Sequence, residues 1–258
     1  MKITRRQLKS IIKEVIDPKD GKIKMYHTFG KSRNIKIING QPDYDILPKE
    51  ELVNRVKSIM KNGFIPSDNH LFGKGIYGFK PSQFKSLAGS QSALYGNYAL
   101  EFEIKDISRW LILDSKEAKK VKGSNAPLRK QLELLGVDLD RIFIKRHIDY
   151  VKDEETNMWV EQKPRALTIG DFMDLIEEWE KTGRSFADND TYQEYIQIFA
   201  GDFPYYNIDG MLLNENWSNG NFYLGFFVCT NLNAVTLTGY CEDIATGVIK
   251  PLPNISMT

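Results

Sequence analysis

Apolar residues recur along this chain in two rhythms, one helical and one alternating, and each marks a different element. Leu8, Ile11, Ile12, Val15 and Ile16 fall at helical spacing opposite Arg5, Arg6, Lys9 and Lys13, the one-faced stripe of an amphipathic helix. Thr4, answered by Gln7 three residues later, supplies a capping box, and Asp17-Pro18-Lys19-Asp20-Gly21 ends the segment. Residues Ile23 to Thr28 then read as a short strand, followed by a polar, turn-rich connection through Asn39-Gly40. Leu52, Val53, Val56, Ile59 and Met60 share one face of a helix that Pro48 opens and Asn62-Gly63 closes. Leu100 to Ile104 alternates as a strand.

Farther along, Arg109 to Asp114 and Arg141 to Arg146 predict strands, with a helix over Pro127 to Leu135 between them. Helical patterns cover Ile169 to Lys181 and Thr191 to Phe199. Closing strands are predicted at Gly210 to Leu213, Phe222 to Cys229 and Ala234 to Thr238, with Asn216 to Gly220 as a tight turn. Short strands among few helices predict an α+β fold, not a doubly wound parallel sheet. No repeat or low-complexity segment interrupts the pattern.

Composition narrows the reading. The 258 residues suffice for one large domain or two small ones. Lys+Arg 35 against Asp+Glu 34 leaves a net charge of +1, which argues against a chain that coats duplex nucleic acid. Cys229 and Cys241 lack metal-ligand spacing and there are three histidines, so neither a disulfide framework nor a metal site is expected. Reduced cysteines make a cytoplasmic location the default. No apolar run approaches the roughly 20 residues of a membrane helix, so no membrane partner is expected. The basic N-terminus lacks the continuous apolar segment of a secretory signal.

Candidate chemistry gathers between Asn62 and Ile104. A glycine-bracketed run, Phe72-Gly73-Lys74-Gly75-Ile76-Tyr77, precedes Ser90-Gln91-Ser92-Ala93-Leu94-Tyr95-Gly96. Two tyrosines on glycine-relaxed backbone suggest walls for a flat ring, with the following strand as floor. The Phe-Gly-Lys-Gly run lacks the spacing of a phosphate-binding P-loop. Taken in order, Tyr26-His27-Thr28, Lys61-Asn62-Gly63-Phe64, the Gly75 to Tyr77 run, the Ser92 to Tyr95 run and Asp209-Gly210 resemble the diphtheria-toxin-like and poly(ADP-ribose)-polymerase-like ADP-ribosyltransferases. The resemblance covers residues 23 to 110 and 205 to 238. It implies a split antiparallel β-sheet transferase fold that uses NAD as substrate, with no metal.

The resemblance also implies residue roles. Tyr95 stacks on nicotinamide and Tyr77 closes the other side, with Gly63 and Gly75 in the backbone of the cleft. Ser92 and the backbone of Thr28 hold the carboxamide, and His27 binds the adenosine ribose. Thr28 stands where the family usually has glycine. The third signature of the family, a glutamate that stabilises developing positive charge on the ribose, falls at Gly225 or Phe226, where there is no carboxylate. Losing such a contact commonly costs on the order of 10²–10³ in rate, which argues against chain building; family members with a non-acidic residue at this place resemble either mono-ADP-ribosyltransferases or inactive forms. Glu101, Glu103 and Glu215 are candidate substitutes for that carboxylate, each expected rather to be a solvated strand or turn residue.

The organisation expected is an amphipathic helix over 1–20 and one catalytic domain over 21–258, with 115–203 as an inserted helical subdomain. The acceptor would be a macromolecule, protein ahead of nucleic acid. The opening Met1 to Glu14 resembles that of some tailed-bacteriophage proteins. A toxin, a phage effector or a defence enzyme would fit a transferase, and a virion component would fit a binding module. The first helix is expected to dock on the main body, the alternative being an arm that binds a partner. Lys119, Lys120, Lys122, Arg129 and Lys130 form a basic cluster that could face a nucleic acid, a solvated helix face being the leading expectation. The rival expectation is a binding module that keeps an NAD-shaped cleft without chemistry.

Overall fold

The computed structural model describes residues 23–38, 41–65, 74–79, 96–113, 115–181, 190–217 and 222–253. The helix expected over 4–16 and most of the turn expected over 216–220 lie outside them. The chain begins with strands β1 (Ile23–Phe29), β2 (Lys31–Ile38) and β3 (Gln41–Ile46), then helix α1 (Lys49–Asn62). Strands β4 (Ile76–Phe79), β5 (Tyr98–Ile104) and β6 (Trp110–Ile112) precede helices α2 (Ser115–Lys122) and α3 (Leu128–Leu134). Four strands follow: β7 (Ile142–His147), β8 (Tyr150–Lys152), β9 (Trp159–Glu161) and β10 (Arg165–Thr168). Helices α4 (Ile169–Lys181) and α5 (Asp190–Gly201) lead to β11 (Gly210–Trp217), β12 (Phe222–Cys229), β13 (Val235–Cys241) and β14 (Ile249–Pro251). The fold is α+β with mostly antiparallel strands. Among the described residues no helix is long and apolar enough to cross a membrane.

Two compact units divide the chain, one reaching Ser108 and resuming at Leu224, the other running from Arg109 to Tyr223. The insertion expected over 115–203 falls inside the second. In the first unit the strands order as β14-β13-β5-β1-β4-β12. β1 pairs with β5 in unbroken antiparallel register from Ile23↔Ile104 to Phe29↔Tyr98. This long pairing, with Met25, Leu100, Phe102 and Ile104 buried, makes the middle of the sheet its firmest part, each such side chain contributing roughly 1.5–3 kcal/mol. α1 starts at Pro48 and carries Glu50 and Glu51 in its first turn and Lys61 in its last, matching the helix dipole at both ends. Its buried residues, Leu52 and Val56, belong to the predicted apolar face.

In the second unit β6 pairs with β11 in parallel, Trp110 facing Gly210. The Gln131 amide clamps α3 onto β6, accepting from Ile112 N–H at 2.8 Å and donating to Ile112 C=O at 2.9 Å. The core there is aromatic: Phe143 lies 5.3 Å from Phe172, 5.9 Å from Phe199 and 6.3 Å from Tyr195, ring centre to ring centre. β8 and β9 form a separate two-stranded ribbon. Its Tyr150, Val151, Met158 and Val160 are exposed, and Trp159 is 68% exposed.

Candidate functional site

β1 lies between β5 and β4, and its register assigns side chains to faces. His27 pairs with Leu100 and Met25 with Phe102, so these four share one face. Tyr26 pairs with Glu101 on one side and with Phe79 on the other, so those three share the opposite face, with Thr28. Gly78 belongs to the His27 face, since a Cβ there would meet Met25 Cε at 2.8 Å.

His27 is fixed on two sides. Its Nδ1 stands 2.7 Å from the Tyr77 carbonyl oxygen. A carbonyl can only accept, so Nδ1 carries the proton and the lone pair of the neutral ring is on Nε2. The Phe64 ring meets His27 edge-on at 5.0 Å and then Phe102 at 6.0 Å. Phe64 reaches this place because α1 ends at Gly63, whose φ of +79° turns the chain. The Gly63 N–H closes the helix by donating to Ile59 C=O at 2.9 Å. Gly75 serves a different need: a Cβ there would sit 2.6 Å from the Cys229 carbonyl oxygen, where the chain entering β4 runs against β12.

Of the residues singled out in the sequence, His27 and Tyr77 thus lie in neighbouring strands, with Thr28 beside His27 and buried. His27 meets Tyr77 through the Tyr77 backbone. The ring of Tyr77, two residues from Phe79, belongs to the Tyr26 and Thr28 face and not to the His27 face. Ser92 and Tyr95 lie outside the described residues. Gly225 is in β12, next to Phe226, which pairs with Phe79 of β4.

Glu101 departs from expectation. It is not solvated but 4% exposed, because it sits on a central strand with neighbours on both sides. Its carboxylate accepts from Tyr26 Oη at 2.7 Å, Thr238 Oγ1 at 2.7 Å and Lys24 Nζ at 3.2 Å. Burial, and then the Glu101 hydrogen bond and charge, push the Tyr26 hydroxyl far above its ordinary range. Glu101 faces away from His27, and so does Glu103, which pairs with Lys24. Neither can supply a carboxylate beside that imidazole.

Other expectations resolve in the second unit. Asp209 is buried against Arg109 at 3.2 Å, and its N–H donates to Arg109 C=O, so it ties two chain segments together. In the basic cluster, Arg129 makes two 2.6 Å bonds to Asp174, Lys122 donates to Trp110 C=O at 2.6 Å, and Lys130 pairs with Glu133. Lys119, Lys120 and Lys130 are exposed as a solvated face requires, while Lys122 and Arg129 are half-buried on partners from the protein itself. One feature escaped the sequence reading: a cleft of about 660 Å³ whose lining includes Arg141, Asp202, Tyr205 and Tyr206. The signal that could have found it is the Tyr205-Tyr206 pair set between Asp202 and Asp209. Among the described residues no group of three His, Cys, Asp or Glu side chains is placed to hold a metal ion. Comparison with known proteins returned no match, whether among family models, curated proteins or solved structures.

Proposed function

We propose that this chain is an NAD-dependent mono-ADP-ribosyltransferase acting on a macromolecule, protein ahead of nucleic acid. The observation that carries the reading is the meeting at His27 of chain segments far apart in sequence, the Tyr77 carbonyl at 2.7 Å and the Phe64 ring at 5.0 Å. These segments are the ones whose residues resemble the transferase motifs. In the reaction proposed, the bond between nicotinamide nitrogen and ribose C1 breaks, and its electron pair leaves with the neutral ring. The acceptor nucleophile bonds to C1 and releases a proton to solvent. The demand on the protein is to hold the departing ring and to stabilise an oxocarbenium-like sugar, the problem that glycosidases also meet. A histidine whose ring and tautomer are held in place suits an orienting role toward a ribose hydroxyl.

A second reading, a module that binds through the same region without chemistry, is favoured by two observations. Gly225 stands where the resemblance places a glutamate, and the rings of His27 and Tyr77 belong to opposite faces of the sheet. Incubating the protein with NAD and a cell lysate separates the readings. We expect free nicotinamide and a label that protease removes. We expect His27→Ala and Tyr95→Ala each to abolish release while the melting temperature stays within a few degrees. No nicotinamide from the wild type would leave the binding module as the function.

A further inference from the structure

We propose that the cleft beside Arg141 binds an arginine side chain of a protein or peptide. The cleft lies wholly within the second unit and holds Asp138, Arg141, Asp202, Tyr205, Tyr206 and Asn207 in its lining. Its first guanidinium is its own. Arg141 Nη1 donates to Tyr206 Oη at 2.6 Å, Nη2 lies 3.1 Å from Asp202 Oδ2, and the guanidinium carbon is 5.8 Å from the ring centres of both Tyr205 and Tyr206. That set shows what the cleft offers a flat cation: a tyrosine face, a phenolic oxygen and a carboxylate.

The cleft also keeps a further carboxylate, and Tyr205 stays largely open although Arg141 approaches its ring. Tyr205 is 77% exposed, its ring braced edge-on against buried Tyr206 at 4.8 Å. Asp138 is exposed, and among the described residues the one bond its carboxylate accepts is from Asp140 N–H at 3.1 Å. Asp202 already balances Arg141, so the lining carries one negative charge in excess, and Asp140 in the same turn adds another. This sign repels a phosphate and draws a cation. Among cations a guanidinium fits best. It is planar and weakly hydrated, stacks on an exposed tyrosine, and pairs in two-pronged fashion with a carboxylate, whereas an ammonium is a compact, strongly hydrated point. The volume exceeds what one guanidinium fills, leaving room for the side-chain stem. Leu134 and Ile142, which flank lining residues in the chain, are 61% and 60% exposed and offer apolar surface to the rest of a peptide. This inference stands apart from the NAD reading and survives its failure.

The test is a titration of the full chain, followed by backbone amide resonances, with N-acetyl-arginine methylamide, its neutral citrulline counterpart and AMP. We expect arginine to shift amides near 136–141 and 202–207 saturably, with citrulline about tenfold weaker, as loss of the charge requires. Tyr205→Ala should weaken binding about two- to thirtyfold and Asp138→Asn about fivefold, while Tyr205→Phe, which keeps the ring, stays within about twofold. An unchanged melting temperature in each variant shows that the fold is intact, as exposed positions lead one to expect. Absence of saturable shifts with arginine, equal binding of citrulline, tighter binding of AMP, or indifference to Tyr205→Ala would each overturn the proposal.

Discussion

Glu101 accepts hydrogen bonds from Tyr26 and Thr238 and an ion pair from Lys24 inside the sheet. Removing a buried acceptor that several donors share costs more than any one bond contributes, because the donors were desolvated on its account. We expect Glu101→Ala to lower stability by on the order of 2–4 kcal/mol in urea unfolding, and Glu101→Gln, which keeps an acceptor, by less. Tyr26 adds a pH signature. In the unfolded chain its hydroxyl ionises near the ordinary value of about 10; in the fold it keeps its proton to higher pH. The folded state therefore binds more protons above about pH 10, so this stability is complete below that value and falls as pH rises past it. The alkaline fall should be shallower in Tyr26→Phe, and denaturant midpoints between pH 8 and about 11 would measure it.

Elements that announce themselves in the sequence are those in which local pattern and tertiary environment agree. α1 is one: Pro48 opens it, Leu52 and Val56 of its stripe are buried, and its stop at Gly63 needs a φ that side chains avoid. β1 and β5 are others, strand-like in sequence and paired along their whole length. The missed elements lack a pattern of their own. β2 and β3 form a hairpin where polar and charged residues read as a connection, and their pairing, not their composition, makes them strands. In α2, Ser-Lys-Glu-Ala-Lys-Lys-Val-Lys, Ala118 is buried but no apolar stripe marks the helix. β8, β9 and β14 are three residues each, too short for a period to show. At the candidate site the sequence named His27 and Tyr77, yet the opposition of their rings follows from a register that no sequence prints. Two glycines provide a test at this scale. Gly63→Ala meets no neighbour within 4 Å but must hold φ at +79°, and should cost about 1–3 kcal/mol through backbone strain. Gly75→Ala should cost a similar amount, about 1–3 kcal/mol, by pushing β4 from β12. Exchange of the β12 amides distinguishes them, speeding in the second variant and not in the first.

Over the whole chain, the division into two units implies two cores. That of the second is built on Phe172 and Phe199, both fully buried, with Phe143 between α4 and α5. Phe172→Ala leaves a cavity in this aromatic core and should cost about 3–5 kcal/mol. We expect amide protection to fall throughout α4, α5 and β7 while that of β1 and β5 holds. Uniform loss across both units would mean that they unfold as one.

The ribbon of β8 and β9 gives the molecule an optical handle. Trp159 stands in water while Trp110 is sealed in the interior, so a dissolved collisional quencher reaches the first indole and not the second. Subtracting the emission of Trp159→Phe from that of the parent isolates a red-shifted lamp on the ribbon. Its dimming or blue shift would announce any partner that settles there, with no dye attached.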